Sequence, residues 1–322
     1  CIICSHSRVG DPAAACAGLV LPTDDVDKCY RDVLDPSIVN SDERSFILQN
    51  STVRVGNFAG TIRLLPDGDK HRTMFVAVRG DPSITKIEVH FPGDSGAPAD
   101  FIDPGVLQCG TDAATLAMRS AYDSNTHKTS SPAACDSSFL IQDYTCQNQP
   151  TCLVGTDQND KTQLPTEPFG MQIDPVKRRL VVSHLSTGQV SVSSVDDPPP
   201  VALLSESTQF FPPDPTGRHG AFALAQQDPT DPHSLWYLTS NVNAQMATFR
   251  IADADGIVIP DSTIALNNSF AQGTDVRDFV FDTGGNRAFV TEANPPSVLV
   301  LDTRTDTTQG SQPHNTVTDI ID

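Results

Sequence analysis

The stretch AFVTEANPPSVLVLD, residues 288–302, places two apolar segments on either side of a turn. Both segments are rich in valine, leucine and phenylalanine, residues that pack well on a pleated sheet. Asn294 and the two prolines that follow it cannot continue a strand and are typical of a turn. The stretch therefore predicts a β-hairpin.

The same pattern recurs at three other places in the chain, residues 74–89, 180–193 and 236–251. Each hairpin follows a further apolar segment that ends at an Asp- or Pro-containing turn, namely residues 58–64, 168–173, 220–225 and 276–281. Because a helical period is nearly absent and 25 prolines and 20 glycines punctuate the chain, long helices are disfavoured. The repeat is therefore three strands plus one variable strand.

The spacing of the repeats indicates an all-β propeller built of four-stranded blades. Val181 lies 56 residues before Tyr237, and Tyr237 lies 52 residues before Phe289, a period suited to such blades. A blade buries its faces only against its neighbours. We therefore predict one β-propeller domain over residues 1–322, with seven blades expected and six or eight as alternatives.

The two ends of the sequence favour a chain that is incomplete at one or both ends. Residues 316–321 alternate like one more strand, which would either close the ring against the N-terminal region or belong to a blade that continues elsewhere. The first residue, Cys1, is a candidate for lipidation, although trimming at this position would give the same start.

All eight cysteines lie in the first half of the chain, in polar, Pro/Ser/Asp-rich surroundings that favour disulfides in long loops. Their wide spacing disfavours zinc, and Ser5 separates Cys4 from His6, so that CIICSH only approaches a haem-attachment motif. Residues 108–161 are predicted to be a Cys-rich insertion. Eight cysteines allow 105 pairings, and we expect pairs within each local cluster: Cys1, Cys4, Cys16 and Cys29, then Cys109, Cys135, Cys146 and Cys152.

Charge and hydropathy exclude several function classes. A formal charge of -19 repels nucleic acid phosphates and anionic lipid surfaces. No run of 18 apolar residues predicts a spanning helix, so that a lipid anchor is the only membrane attachment expected. Oxidised cysteines are typical of the periplasm, the cell surface or the extracellular space. The partners expected are other envelope or extracellular proteins.

The repeats resemble the YVTN type of β-propeller repeat. The best matches are Pro168-Phe169-Gly170 and Ser297-Val298-Leu299-Val300-Leu301-Asp302. More narrowly, Val53-Arg54-Val55-Gly56-Asn57-Phe58 with the hairpin after it is similar to secreted propeller lipoproteins of the deltaproteobacterial kind. The resemblance covers about residues 53–302 and implies a fold more than a function.

Candidate ligand-binding residues lie where the chain enters the innermost strands, because these loops converge at the mouth of a propeller's channel. The positions there are Asn57, Glu167, His219, Asp275 and Arg277. Together they predict a mixed-charge ring for a polar ligand or a divalent cation such as Ca²⁺. The alternative is that they are solvated, hydrogen-bonding loop residues.

A second pair, His184 and Glu292, occupies equivalent positions at the ends of matching strands, and Arg79 lies one residue further along in the first copy. A histidine and a carboxylate at one rim could act as acid and base. Their places in the repeat also explain them without any chemistry.

The leading hypothesis is a non-catalytic cell-surface or periplasmic interaction module, since neither a Gly-x-Ser-x-Gly elbow nor a phosphate-binding loop is present. The alternative is a metal-assisted lactone or ester hydrolase, because the YVTN repeat is similar to repeats of lactonase-like propellers. A cation held by Glu167, His219 and Asp275 would then polarise the carbonyl. No other cofactor is predicted. A third hypothesis, an electron-transfer or cofactor propeller, rests only on the CIICSH segment at residues 1–6.

Overall fold

A computed structural model describes residues 55–66, 71–80, 82–90, 106–110, 122–123, 128–129, 135, 139–141, 143–145, 161–196, 203–266, 275–294, 296–306 and 312–321. Within these ranges every regular element that extends over two or more residues is a β-strand, as predicted. The chain forms two compact units. The larger comprises residues 55–65, 74–86 and 137–322, and the smaller comprises residues 1–54, 66–73 and 87–136.

Four antiparallel sheets follow one another along the chain, each with strands in sequence order. The first contains β1 (Ala59–Pro66), β2 (His71–Val78), β3 (Ser83–His90) and β4 (Val106–Gln108). Short strands then follow: β5 (Tyr122–Asp123), β6 (Lys128–Thr129), β7 (Leu140–Ile141), β8 (Asp143–Thr145) and β9 (Lys161–Gln163). The second sheet contains β10 (Pro168–Asp174), β11 (Arg179–His184), β12 (Val190–Ser194) and β13 (Leu203–Glu206).

The third sheet contains β14 (Ala221–Gln226), β15 (Trp236–Ser240), β16 (Gln245–Ile251) and β17 (Val258–Ala265). The fourth contains β18 (Val276–Phe281), β19 (Arg287–Ala293), β20 (Pro296–Asp302) and β23 (Thr316–Ile321). Between β20 and β23 lies a separate pair, β21 (Thr305–Asp306) and β22 (Gln312–Pro313). The tail strand β23 thus pairs with β20 as the fourth strand of its own sheet.

In the second and fourth sheets an aspartate forms the turn between the first and second strands, as the sequence pattern predicts. The Asp174 carboxylate accepts hydrogen bonds from the amides of Val176 and Lys177, both at 2.9 Å. Asp282 accepts one from the Asn286 amide at 2.8 Å. A short side chain that bonds its own backbone in this way mimics a turn and stops the strand.

In the second, third and fourth sheets, a β-bulge near the start of the first strand is filled by a hydroxyl from the second strand. In the second sheet the Gly170 amide donates to Ser183 Oγ at 2.9 Å. The amides of Ala223 and Asp278 donate in the same way to Thr239 and Thr291 in the third and fourth sheets, at 3.0 and 3.1 Å. The hydroxyl satisfies a backbone donor that the bulge removes from the ladder.

The hydrophobic core lies between neighbouring sheets. One cluster joins the first and second sheets through Leu65, Phe75, Met171, Leu180 and Val182. Val181, Leu224, Trp236, Leu238 and Phe249 lie in the cluster between the second and third sheets. Tyr237, Leu266, Phe279, Val290 and Leu299 lie in the cluster between the third and fourth. Sheets that pack face against face in chain order are the blades of a propeller, so that the predicted fold class is confirmed.

The contacts are tight where the first strands of neighbouring blades meet. A Cβ added to Gly170 would lie 2.1 Å from the carbonyl oxygen of Phe222 on the next blade. Only glycine therefore permits this approach. The Ser183 hydroxyl also donates to the Phe222 carbonyl at 2.6 Å, so that one side chain links two blades.

The described residues of the predicted insertion contain the short strands β5 to β8 and the first residue of β9. Strand β7 returns to the first sheet, where Ile84 and Thr85 of β3 pair with Ile141 and Leu140. Gln108, the predicted first residue of the insertion, belongs to β4. The blade count and domain bounds stay predictions.

The smaller unit contains a disulfide between Cys109 and Cys135, within the second predicted cluster. The candidates Cys1, Cys4, Cys16, Cys29, Cys146 and Cys152 lie outside the described residues, as does the lipidation of Cys1.

A polar cluster on β2, β3 and β4 also belongs to the smaller unit. Glu88 Oε2 lies 2.8 Å from His71 Nε2 and accepts a hydrogen bond from the Thr73 hydroxyl at 3.0 Å. His71 stacks on His90, with ring centroids 5.1 Å apart, and His90 bonds Gln108. These contacts hold together the end of the first sheet.

Candidate functional site

Each first strand begins at the same rim, and a repeated backbone bond identifies its entry residue. An amide at the end of the second strand, either its last residue or the one after it, donates to the carbonyl of the residue just before the first strand. The bonds are Arg79 to Phe58, Leu185 to Glu167, Asn241 to Gly220 and Ala293 to Asp275, at 2.9 to 3.1 Å. The entry residues of the four blades are therefore Phe58, Glu167, Gly220 and Asp275.

The predicted ring matches this rim in part. Glu167 and Asp275 are entry residues, whereas Asn57 and His219 lie one residue earlier and Arg277 two residues later. Asn57 contributes its carbonyl, which accepts a hydrogen bond from the Gly80 amide at 2.9 Å. The sequence pattern located the rim to within two residues in every blade.

Three of the four entry residues have a left-handed backbone. The φ angle is 57° at Phe58, 54° at Glu167 and 73° at Gly220. Glycine adopts this conformation without steric cost, while a residue with a Cβ pays on the order of 1 kcal/mol or more. The first and second blades thus carry a bulky side chain on strained backbone where the third blade uses glycine.

Glu167 is held by groups from two blades. Arg79 Nη2 lies 3.0 Å from Oε1, and the Ser186 hydroxyl donates to Oε2. Partial burial works against ionisation, but the Ser186 hydroxyl and the charges of Arg79 and Arg218 outweigh it and lower the pKa of Glu167. The carboxylate is therefore ionised and clamps the first blade to the second.

Aromatic rings lie beside this ion pair. The guanidinium carbon of Arg79 lies 5.3 Å from the centre of the Phe169 ring, within cation–π range. Phe169 packs on Phe222 of the next blade, with centroids 4.2 Å apart and ring planes tilted by 31°. Both phenylalanines are half-buried and lie two residues after their entry residues.

His219 and Asp275 are also engaged in local contacts. The Nδ1 atom of His219 lies 2.6 Å from the Phe211 carbonyl oxygen, which can only accept, so that this nitrogen carries the proton. Asp275 Oδ2 accepts a hydrogen bond from Arg277 Nη2 at 2.5 Å. Arg277 is the more exposed member of that pair.

The geometry does not support the predicted metal site. Glu167, His219 and Asp275 all belong to the described residues, and among these no group of three or more His, Cys, Asp or Glu side chains could hold a metal ion. The three residues enter three different blades, and each is turned to a partner within or next to its own blade.

His184 and Glu292 are confirmed as equivalent positions, because each pairs with the first residue of its inner strand, Pro168 and Val276. Both are buried. His184 shares a strand face with Leu180 and Val182, between the first and second blades. Glu292 shares one with Ala288 and Val290, between the third and fourth. An acid–base pair is therefore excluded, since the two side chains lie in different interfaces.

Burial sets the protonation of both groups. It lowers the pKa of His184 to about 3, against the weaker influence of the Pro165 and Thr166 carbonyls. His184 is therefore neutral, with Nε2 2.8 Å from the Ser191 hydroxyl oxygen. Burial raises the pKa of Glu292, whose carboxylate accepts no well-formed hydrogen bond, although the Ser297 hydroxyl favours its ionised form.

Several residues of the site were missed by sequence reasoning. Phe58 is 78% exposed, and only its position next to Asn57 could have indicated it. Arg63 donates from Nε to Gln172 Oε1 at 3.0 Å, which links the first strands of the first two blades. Burial lowers the pKa of Arg63 and the negative charge of Asp278 opposes this shift.

No protein-family model matches the sequence, and no curated protein does. The YVTN and lipoprotein resemblances thus stay predictions. In the described residues no helix is long and apolar enough to cross a membrane.

Solved structures similar to this chain include a periplasmic gluconolactonase, PpgL, from Pseudomonas aeruginosa, at 14% identity and a TM-score of 0.49, covering 82% of this chain and 53% of that one. A proposed 6-phosphogluconolactonase from Bacteroides uniformis has 12% identity and a TM-score of 0.48, with coverages of 82% and 55%. The β-propeller domain of Cps50 (Swd1) from Myceliophteria thermophila has 6% identity and a TM-score of 0.39, with coverages of 78% and 56%. This chain spans about half the length of these structures, and likeness at this level transfers no activity to it.

Proposed function

We propose that this chain is a non-catalytic β-propeller module that binds an envelope or extracellular protein, or a ligand, at the rim formed by its entry residues. The observation that carries the proposal is Phe58, a large apolar side chain that is 78% exposed on left-handed backbone. Exposure leaves its ring in water, and its φ angle adds strain. Glycine at the equivalent position of the third blade, Gly220, avoids both costs.

The surroundings of Phe58 suit recognition of a partner. Arg79, whose amide bonds the Phe58 carbonyl, joins the Glu167 ion pair at the same rim. Aromatic residues and arginine are enriched in binding interfaces, where a central apolar anchor is surrounded by polar groups. The Glu167 carboxylate is held by Arg79 and by Ser186. Such a fixed charge suits the orientation of a partner better than it suits proton transfer by a catalytic base.

The disulfide between Cys109 and Cys135 supports a location in the periplasm, at the cell surface or outside the cell. With a formal charge of -19, the chain is not expected to bind nucleic acid. Membrane attachment would come through a lipid on Cys1.

The test is capture of partners by the immobilised chain from an envelope extract of the source organism. The wild type is compared with Phe58→Gly and with Val176→Ala, which alters an exposed apolar residue at the opposite end of the second blade. We expect the Val176→Ala chain to retain the wild-type partners and Phe58→Gly to lose them. The melting temperature of Phe58→Gly should equal or exceed that of the wild type, because backbone strain is released.

An unchanged set of partners with Phe58→Gly would refute the rim as the binding surface. The same preparation should be assayed for hydrolysis of gluconolactone and 6-phosphogluconolactone with added Ca²⁺, Mn²⁺ or Zn²⁺. Turnover that disappears in Glu167→Gln would overturn the non-catalytic proposal in favour of the metal-assisted hydrolase.

A further inference from the structure

The third blade carries a small pocket at the end opposite its entry residue. The turn between β14 and β15 forms one wall through Pro232, His233 and Ser234. The end of β16, the turn after it and Ile259 of β17 form the rest. The volume is about 190 Å³. An apolar cavity of about 150 Å³ holds one benzene molecule, so that this pocket has room for a ligand of the size of one ring.

The pocket has an apolar floor. Ile259 is 50% exposed although it lies in a strand, and Pro232 and Ile251 line the same pocket. Ile251 also packs on the core between the second and third blades, so that the floor is continuous with that core. A ligand that covers these side chains removes apolar surface from water, which favours binding.

Arg250 places a positive charge beside this floor. Register pairs it with Ile259, and residues directly opposite each other in an antiparallel pair share one face of the sheet. Its Nη1 donates to the His233 carbonyl at 2.8 Å, which holds the exposed guanidinium at the pocket wall. Arg250 forms no salt bridge with a carboxylate of the described residues. The other N–H groups of its fork are therefore open to an acceptor on a ligand.

Asp253 is the acidic residue that lines the pocket, and its charge is already compensated. Lys177 Nζ lies 3.2 Å from Oδ1, and His233 Nδ1 lies 3.7 Å from Oδ2. The hydrogen bond from Lys177 is the main cause of a lowered pKa at Asp253, so that this carboxylate is ionised and paired. An anionic ligand on Arg250 is therefore not opposed by an unpaired carboxylate of the pocket wall.

Contacts from the second blade hold the pocket in shape. Arg179 donates from Nη1 and Nη2 to the carbonyls of Ala252 and Asp253, at 2.8 and 2.6 Å. The Gly256 carbonyl, in the same turn, accepts a hydrogen bond from the Ser205 hydroxyl at 2.6 Å. Because this turn is fixed before binding, little conformational entropy is lost when a ligand enters.

We propose that this pocket binds a small organic carboxylate with one apolar group, of about the size of benzoate. The carboxylate bonds the guanidinium of Arg250, and the apolar group packs on Ile251 and Ile259. Arginine suits this role because its fork of N–H groups matches the two oxygens of a carboxylate. A cationic ligand would lie against the charge of Arg250, and a neutral ligand would accept only a weaker hydrogen bond from it. The pocket and the rim lie at opposite ends of the blade, so that the proposal does not rest on binding at the rim.

The test is a titration of the full chain, with isotope-labelled isoleucine methyl groups, with benzoate, benzyl alcohol and benzylamine. Salt at about 0.15 M screens the net charge of -19, and nuclear magnetic resonance reports the methyl shifts of Ile251 and Ile259. We expect benzoate to shift both in a saturable way. Benzyl alcohol and benzylamine should bind at least about 10-fold more weakly, because they lack the charge-assisted hydrogen bond. Equal affinity for benzoate and benzyl alcohol, or no saturable shift with benzoate, would overturn the proposal.

Variants separate the two contacts. Arg250→Gln should weaken benzoate binding by about 10-fold and leave the binding of benzyl alcohol unchanged. Ile259→Ser should weaken the binding of both by about 5-fold, read from Ile251, because apolar contact is lost.

The control Arg287→Gln makes the same change of charge at an exposed arginine that does not line the pocket, and it should bind benzoate like the wild type. Equal weakening in the Arg250→Gln and Arg287→Gln chains would contradict the proposal, since it would indicate an effect of net charge alone. The comparison of the three ligands needs no variant, so that it decides the question even if Arg250→Gln does not fold.

Discussion

Removal of the Ser183 hydroxyl measures how much a buried hydrogen bond at a β-bulge contributes to the free energy of unfolding. An exposed hydrogen bond of the same kind in the fourth blade serves as the comparison. In Ser183→Ala the Gly170 amide loses its acceptor at 2.9 Å, and the Phe222 carbonyl loses a donor at 2.6 Å. Gly170 and Ser183 are buried, and water has little access. A buried unsatisfied polar group costs about 1–3 kcal/mol, and the carbonyl of the half-buried Phe222 should cost only about 1 kcal/mol. The two groups together should therefore lower the unfolding free energy by roughly 2–4 kcal/mol.

The matched control is Thr291→Val, which removes the same hydroxyl from the fourth blade. There the Asp278 amide donates to Thr291 at 3.1 Å, and both residues are exposed. Water can replace the hydroxyl, so the loss should stay below about 1 kcal/mol.

Urea titration followed by fluorescence gives the measurement. The chain has a single tryptophan, Trp236, which is buried in the core between the second and third blades, the two blades that Ser183 links. Hydrogen exchange at the Gly170 amide adds a local readout, and Ser183→Ala should accelerate it. Equal losses in the two variants, or a loss below about 1 kcal/mol in Ser183→Ala, would show that burial does not set the cost of this bond.

Three further predictions concern buried groups. Burial lowers the pKa of His184 to about 3 in the folded chain, so between pH 6.5 and 3 this imidazole is protonated only in the unfolded chain. As the pH falls through that range, the free energy of unfolding should decrease by up to about 1.4 kcal/mol per pH unit. In urea titrations at several pH values, His184→Gln should flatten this slope. Glu292→Gln should raise the melting temperature at pH 7 and not at pH 4. The raised pKa of this carboxyl means that it destabilises the fold only at a pH where it ionises. A higher melting temperature at both pH values would contradict this cause. Replacement of Cys109 and Cys135 by alanine should cost roughly 2–4 kcal/mol, measured by urea titration, and no change would show that their 26-residue loop is constrained by other contacts.

Local patterns in the sequence were sufficient for the hairpins and the inner strands. Residues 288–302 form a hairpin of β19 and β20 as predicted, since alternation and turn residues act within a few positions along the chain. The second strand begins earlier than predicted, because Pro296 and Ser297, which were placed in the turn, pair with Ala293 and Glu292. The entry residues were displaced by one position in two blades, where Phe58 and Gly220 take the places expected for Asn57 and His219. Alignment of the repeats by their strands does not show which backbone hydrogen bonds join the end of each second strand to its entry residue.

The chemistry of individual side chains depended on contacts that sequence spacing does not encode. His184 and Glu292 were correctly matched as equivalents, yet each is buried in a separate interface between blades. Glu167 was correctly placed at the rim, but its ionic clamp needs Arg79 from another blade. Burial and charge pairing arise from residues far apart in the chain, so only the fold shows them.

The sequence by itself determined that this protein is a repeat of hairpins, because strand periodicity and turn chemistry are local properties. Only the tertiary structure decided which residues of each described sheet are covered by a neighbouring blade and which hydroxyl fills each bulge. These depend on the packing of one blade against the next. A strand's alternation tells which residues share a face, but not what lies against it.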